Sequence, residues 1–442
     1  MKRAVSRAIR IGLLGAGVVG QGILQLLRDH AESIERRLGA RIEVRRVVAR
    51  DAEKARSPLV PEALLSFDPS VLIDDDEIDI VVEVIGGLEP AGAILRRALE
   101  RKKSVVTANK ALLAEHGHEL IELAEAQGVD LYFEAAVAGG VPVIRVLREA
   151  MASDTVVSLR GIVNGTSNYI LSRMKEGGLD FDVALREAQE KGYAEADPTL
   201  DVGGGDAAHK LVILAMLAFG AKVHPSQVAT EGIDRVAAID MKMAARFGYV
   251  IKPLAIGRTL PDGALDLRVH PALVPVSSVL ASISGALNAV TIEGAMLGPC
   301  LLSGYGAGAL PTAMSVVSDI VDVGRNLVRG ASGRVPQRAW RGEHLAVREV
   351  RDVGRNVGPY YLRFVVLDRP GMLARIAGVL GAFDVSIEQM VQEGRAGQDD
   401  AAVQVVMLTH EAREANVKSA LREIHMLSGI VEKTTALRIE RG

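Results

Sequence analysis

The short apolar run at residues 10–14 leads straight into Gly15-Ala16-Gly17-Val18-Val19-Gly20, and this junction restricts the fold more than any other feature of the chain. The run reads as a strand, the glycines as a tight turn, and residues from Val18 to about Arg28 as a helix. In such a unit Gly15 permits the turn, Gly17 lets the backbone approach a pyrophosphate, and Gly20 allows close helix–strand packing. The helix N-terminus then offers N–H groups and a positive dipole to phosphates. GxGxxG alone is weak evidence, but here its context is present. A second strand at 42–49 follows the helix, and strands at 78–85 and 104–107 continue an alternation that predicts an open parallel sheet.

Residues 1–133 are therefore expected to form a nucleotide-binding Rossmann domain, with Gly15, Ala16, Gly17, Val18, Val19 and Gly20 around the phosphates. The second strand ends Val47-Val48-Ala49-Arg50, with Asp51 next and Lys54 and Arg56 nearby. An acid at this place suits the ribose hydroxyls of NAD, whereas a guanidinium at Arg50 suits the 2′-phosphate of NADP. NADP is favoured; Asp51 keeps NAD open.

At 442 residues the chain should divide into about three domains. A formal charge of −3 leaves no electrostatic footprint for nucleic acid or an anionic membrane. A single cysteine excludes an intramolecular disulfide and fits a cytoplasmic location. No stretch reaches the roughly 18–20 apolar residues of a membrane span. A mixed α+β catalytic zone is expected over 134–328, with strands at 158–163, 251–258 and 265–269 and a late helix that docks back onto the nucleotide domain. Residues 329–358 are Arg-rich and read as a linker or extended arm. Residues 359–442 give strand, helix, two strands, helix and strand, the ferredoxin-like order.

The densest chemistry lies in 191–210, KGYAEADPTLDVGGGDAAHK. Glu195, Asp197, Asp201 and Asp206 run directly into the apolar LVILAMLAFGA, so some of these charges must sit at the edge of a core. Buried charges are costly unless paired. Asp206 and Lys210 are four apart and share a helix face. A carboxylate and an ammonium at the mouth of a buried helix form a polar-substrate site, and a second cation nearby would lower a lysine's pKa toward neutrality.

The segments Val106-Thr107-Ala108-Asn109-Lys110, Glu134-Ala135-Ala136-Val137, Asn164-Gly165-Thr166-Ser167-Asn168 and 191–210, with 304–312, together resemble homoserine dehydrogenase. The C-terminal zone resembles an ACT domain, a module that often senses amino acids. The resemblance implies NAD(P)-dependent interconversion of L-aspartate 4-semialdehyde and L-homoserine, on the way to threonine, isoleucine and methionine. It implies Lys210 as the acid in the reducing direction, Lys110 as a second cation near substrate and nicotinamide, and Asp206 as a substrate-binding or oxygen-orienting group. Glu195 would take the substrate ammonium, with Asp201 a weaker candidate, and Gly165, Thr166 and Tyr193 would line the pocket. Thr107, Lys110 and Gly306 would add cofactor contacts. A monovalent cation such as sodium would be held by Glu134, Val137, Gly139 and Val141, three of them through carbonyls; Gly139-Gly140 before Pro142 reads equally as a plain turn. The expected partners are a small-molecule substrate, an amino-acid effector (threonine first) and further copies in a homodimer or homotetramer. Two other readings stay open: a different oxidoreductase acting on an amino-acid semialdehyde or amino acid, and a non-catalytic sensor.

Overall fold

The computed structural model describes residues 8–51, 58–393 and 402–441; Lys54 and Arg56 lie outside them. Strands β1 (Ile9–Leu14), β2 (Ile42–Val48), β3 (Leu65–Ser66), β4 (Ile80–Glu83), β5 (Ser104–Thr107) and β6 (Leu131–Tyr132) form one parallel sheet in the order β3-β2-β1-β4-β5-β6. Both faces of its centre are covered, which is why Ile80, Val81 and Val82 of β4 and Val105-Val106 of β5 are unbroken apolar runs, whereas β2 is half-buried over most of its length. Ile11, Leu13, Ile80, Val82 and Val106 share a core with Ile23 and Leu24 of helix Val18–Asp29, and with Ala313, Val316 and Ile320. Those last three belong to helix Ala309–Arg329, so a segment from late in the chain completes the first layer. The approach is close: a Cβ at Gly22 would lie 2.8 Å from the Ala309 carbonyl oxygen. Strand order reverses between β1 and β4, the place where such sheets open a crevice for dinucleotides.

The second sheet contains Val156–Ile162, Tyr249–Thr259, Leu265–Pro275, Leu287–Gly294 and Gly298–Tyr305. The third of these is twice as long as the pattern at 265–269 suggests. Pro271 reads as a breaker, yet it faces Pro253 across the ladder, where neither proline is asked for an N–H. The C-terminal unit has strands Tyr360–Leu367, Ile387–Glu393, Ala402–Thr409 and Thr435–Ile439, with helices Met372–Ala382 and Glu414–His425. This is the expected ferredoxin-like order. Its last strand also pairs in parallel with the catalytic sheet, Ala272 opposite Arg438 and Leu273 opposite Ile439, so the two sheets are continuous.

The junction is buried as well as paired. Asp240 accepts hydrogen bonds from the Tyr361 hydroxyl and from Arg363 Nε, both at 2.7 Å. Ile251 and Leu273 share a core with Tyr361, Leu437 and Ile439. The Arg-rich segment is likewise a strap and not an extended arm. Fully buried Arg338 donates to Glu125 at 2.7 Å, Gln337 bonds Val129 and Leu131, and Trp340 Nε1 donates to the Leu217 carbonyl at 2.8 Å. Its arginines read as solvent-seeking, but the acids that Arg338 meets, Glu122 and Glu125, lie more than 200 positions earlier in the chain. Among the described residues, no helix is long and apolar enough to cross a membrane.

Candidate functional site

Helix Gly205–Phe219 begins after Gly204, whose φ of 86° makes the sharp turn out of the acidic segment. Asp206 and Lys210 lie one turn apart and both are buried. Lys210 Nζ donates to Asp206 Oδ2 and to the Val163 carbonyl, each at 2.7 Å. Lys110, first residue of helix Lys110–Gln127, approaches the other oxygen, Oδ1, at 3.1 Å. Asn109 caps that helix through Leu112 N and donates to the Gly87 carbonyl, which fixes where Lys110 starts. The sequence thus places two lysines on two domains, and one carboxylate joins them.

Asn164 ties a second acid, Asp201, to Asp206. Its Nδ2 donates to Asp206 Oδ2 at 2.8 Å and to Asp201 Oδ1 at 2.7 Å, while its Oδ1 caps helix Gly165–Gly177 through Ser167 N. Burial pushes the Asp206 carboxyl up, but Lys210, Lys110 and the Lys210 and Asn164 hydrogen bonds outweigh it and hold the group well below the ordinary carboxylate range. Asp201 shifts upward, chiefly by burial. The expectation that paired cations would lower a lysine's pKa is corrected for Lys110. Burial lowers it, but attraction to Asp206 and the hydrogen bond Lys110 donates to it, with help from the charges of Asp201 and Glu195, raise it overall. Asp206 sits between the lysines and replaces their repulsion with a shared counter-charge.

At the rim, Thr166 Oγ1 donates to the Tyr193 carbonyl at 2.6 Å, and the Tyr193 ring lies on Tyr169 with centroids 4.6 Å apart. Gly165 opens its helix, and a Cβ there would lie 2.9 Å from the Ala286 carbonyl oxygen. Glu195 is exposed yet near enough for its charge to act on Lys110.

The glycine turn fits a dinucleotide. Gly15 has φ of 124°, and a side chain at Gly20 would collide with the Gly15 carbonyl. Space beside Gly17 is open, and the helix it caps has no acid in its first turn and an exposed Val18. Ala16 accepts from the Gln21 side chain, and Val19 is half-buried against the sheet core. At the end of β5, Thr107 Oγ1 donates to buried Glu83 at 2.5 Å, and the other Glu83 oxygen accepts from Ile85 N and Gly86 N. Arg50 is exposed just beyond the end of β2. Gly306 packs against Asn288 and against Gly139, where side chains would clash, so the loop around Gly306 and the loop around Val137 and Gly139 brace one another. In that second loop both Glu134 carboxylate oxygens accept backbone N–H groups, from Ile144 at 2.9 Å and Arg145 at 2.8 Å. The Val141 carbonyl accepts from Val143 N.

Sequence reasoning missed Asn164, Asn109 and Glu83. Each asparagine stands immediately before a helix, which is an N-cap signal. Glu83 carried no signal, because an acid at a strand end is usually solvated.

Comparison with known proteins gives three family matches: homoserine dehydrogenase over residues 142–321, homoserine dehydrogenase NAD binding domain over 15–134, and ACT domain over 360–426. The chain is 44% identical to a homoserine dehydrogenase of Neisseria gonorrhoeae, covering 98% of this chain and 99% of that one. It is similar to the crystal structure of a homoserine dehydrogenase from Thiobacillus denitrificans, with TM-score 0.92, 44% identity, and coverage of 98% and 99%. A hyperthermophilic archaeal homoserine dehydrogenase solved in complex with NADPH matches with TM-score 0.62 and 27% identity, covering 72% of this chain and 98% of that one.

Proposed function

The chain belongs to the homoserine dehydrogenase family, and from that premise we propose how its residues interconvert L-aspartate 4-semialdehyde and L-homoserine. The nicotinamide supplies or accepts the hydride when bound. Lys210 handles the proton. An ammonium has three donors, and Asp206 and the Val163 carbonyl occupy two, leaving one for the reacting oxygen. As charge develops on that oxygen, Lys210 stabilises it and transfers the proton. Asp206 acts by holding both ammonium groups, since its oxygens are engaged by Lys210, Lys110 and Asn164. Glu195 is the acid left for the substrate ammonium, and the N–H groups opening helix Gly165–Gly177 suit its carboxylate. The Lys210–Asp206–Lys110 bridge carries this reading. Its test is a spectrophotometric assay with homoserine and with each of NAD and NADP; folded protein that turns over with neither removes it.

For the cofactor, Arg50 supports NADP over NAD, and the glycine turn supports either. For a monovalent cation such as sodium, each Glu134 side-chain oxygen accepts one N–H, from Ile144 and Arg145, and keeps a lone pair, so Glu134 stays the side-chain ligand beside the carbonyls of Val137, Gly139 and Val141. The ACT domain supports amino-acid regulation with threonine as the leading effector. A homodimer or homotetramer agrees with the open edge strand Gly298–Tyr305, whose residues alternate between half-buried and exposed. Gel filtration with light scattering tests the assembly.

A further inference from the structure

The acidic turn that carries Asp201 is packed against a second segment, residues 230–233, that has no part in the chemistry described above. Ile233 N donates to the Val202 carbonyl at 2.9 Å. A Cβ at Gly232 would lie 2.8 Å from that same carbonyl oxygen, and one at Gly204 would lie 2.9 Å from Thr230 Cγ2. The two segments cannot move independently. Behind them, Glu231 N is tied to the Val269 carbonyl at 2.8 Å.

The side chain of Glu231 points the other way, into the C-terminal domain. Arg438 grips it with a two-pronged contact, Nη1 to Oε2 at 2.8 Å and Nη2 to Oε1 at 2.7 Å. Arg438 lies on the strand that fuses the ACT sheet to the catalytic sheet, and its guanidinium also meets buried Glu414 at 2.6 and 2.9 Å. The Glu231 side chain is 44% exposed whereas that of Arg438 is 8% exposed, so burial does not place Glu231; the guanidinium does. Such a fork has one geometry, and a displaced Arg438 would drag the loop with it.

We propose that Glu231 is a positioning residue for the substrate turn, held by Arg438, so that docking of the ACT domain sets homoserine affinity. The route runs from Arg438 to Glu231, through Gly232 and Ile233 to Val202 and Gly204, and so to Asp201, which Asn164 ties to Asp206. It rests on the reading of this site as a homoserine site. It assigns no effector and requires only that two placements of the ACT domain hold the turn differently.

The test uses the full chain with Glu231→Gln, Arg438→Lys and Lys242→Gln. Glu231→Gln should raise the homoserine KM about fivefold or more, the lower end of typical couplings between sites. The values of kcat and the cofactor KM should stay within about twofold. Arg438→Lys, which keeps charge but loses the fork, should recover only part of the wild-type KM. Lys242→Gln breaks a different contact to the ACT domain, Lys242 Nζ to Glu393 Oε2 at 2.9 Å, that touches neither Arg438 nor the loop, and should leave KM unchanged. Hydrogen exchange at the amides of 200–206 should quicken about fivefold in Glu231→Gln. Unaltered exchange there overturns the proposal, as does an equal KM shift from Lys242→Gln or a parallel rise in cofactor KM. Wild-type protein that ignores homoserine would remove the functional reading instead, and the exchange measurement would still decide whether Glu231 holds the turn.

Discussion

In the proposed mechanism two lysines joined by one aspartate carry the chemistry, and each lysine has an expected signature. Lys210→Ala and Lys110→Ala should each lower kcat by about 100-fold or more, the scale for general-acid and electrostatic groups. Cofactor affinity should change less for Lys210→Ala, because Lys210 lies outside the nucleotide sheet. Since Asp206 raises the Lys110 pKa above its ordinary value, Lys110 stays charged throughout pH 7–10. Its ion pair with Asp206 is intact below the unfolded lysine value and is lost only as pH rises through the raised folded one. The homoserine-oxidation profile of Lys110→Met over that range should therefore keep the wild-type shape at a lower rate; an alkaline limb that vanishes in the variant would contradict this. At the cofactor, Arg50→Ala should weaken NADPH by about 1–3 kcal/mol, the range for a charge-assisted bond, and leave NADH nearly unchanged. Titration with both nucleotides separates this from an equal loss, which would mean that Arg50 touches a part the cofactors share.

Among the elements, the catalytic strand Tyr249–Thr259 carries an unusual load. Lys252 is buried, donates to the Ile283 carbonyl and has its pKa lowered to about 8 by burial, with repulsion from Lys175 second. The ordinary lysine value is near 10.5, so between about pH 8 and 10.5 the folded chain binds fewer protons than the unfolded one and gains stability as pH rises. At pH 7 the buried charge is a cost. Lys252→Met should accordingly melt higher than wild type at pH 7, by about 1–2 kcal/mol after allowing for the lost hydrogen bond, and the gap should close toward pH 10. Calorimetry across that range decides it; a gap that does not change with pH would mean Lys252 is not charged where it sits. The helix starts were partly legible: Gly15–Gly20 and the Asp206–Lys210 spacing could be read directly, because turns and i,i+4 faces are local. The extent of strand Leu265–Pro275 could not, because Pro271 is acceptable only beside Pro253 on the neighbouring strand.

For the whole molecule, the fused sheet changes what truncation should do. An Arg-rich arm would let the ACT domain be removed after about Arg355 with activity kept and inhibition lost. The structure instead buries Asp240 against Arg363 and Tyr361 and pairs Ala272 and Leu273 with the last strand. Removing the partners of a buried charge costs about 3–5 kcal/mol, and an uncovered apolar strand edge invites association. The chain cut after Arg355 should lose thermal stability and aggregate; light scattering on heating measures this. Threonine should still inhibit the full chain, and a rate that is indifferent to threonine, isoleucine, methionine and lysine would leave the ACT domain a structural role.

The residues alone determined the dinucleotide turn, the ferredoxin-like order of the last zone and the carboxylate–lysine face of helix Gly205–Phe219. All three depend on spacing within a few residues, where backbone geometry is decided locally. Tertiary structure alone decided that Asp206 bridges Lys210 to Lys110, that Asn164 ties in Asp201, that helix Ala309–Arg329 completes the nucleotide core, and that Arg338 is buried. Each of those contacts joins residues from about 40 to more than 200 positions apart. The free energy of a charge is set by the partner it finds, and in a chain of this length that partner is a property of the packing.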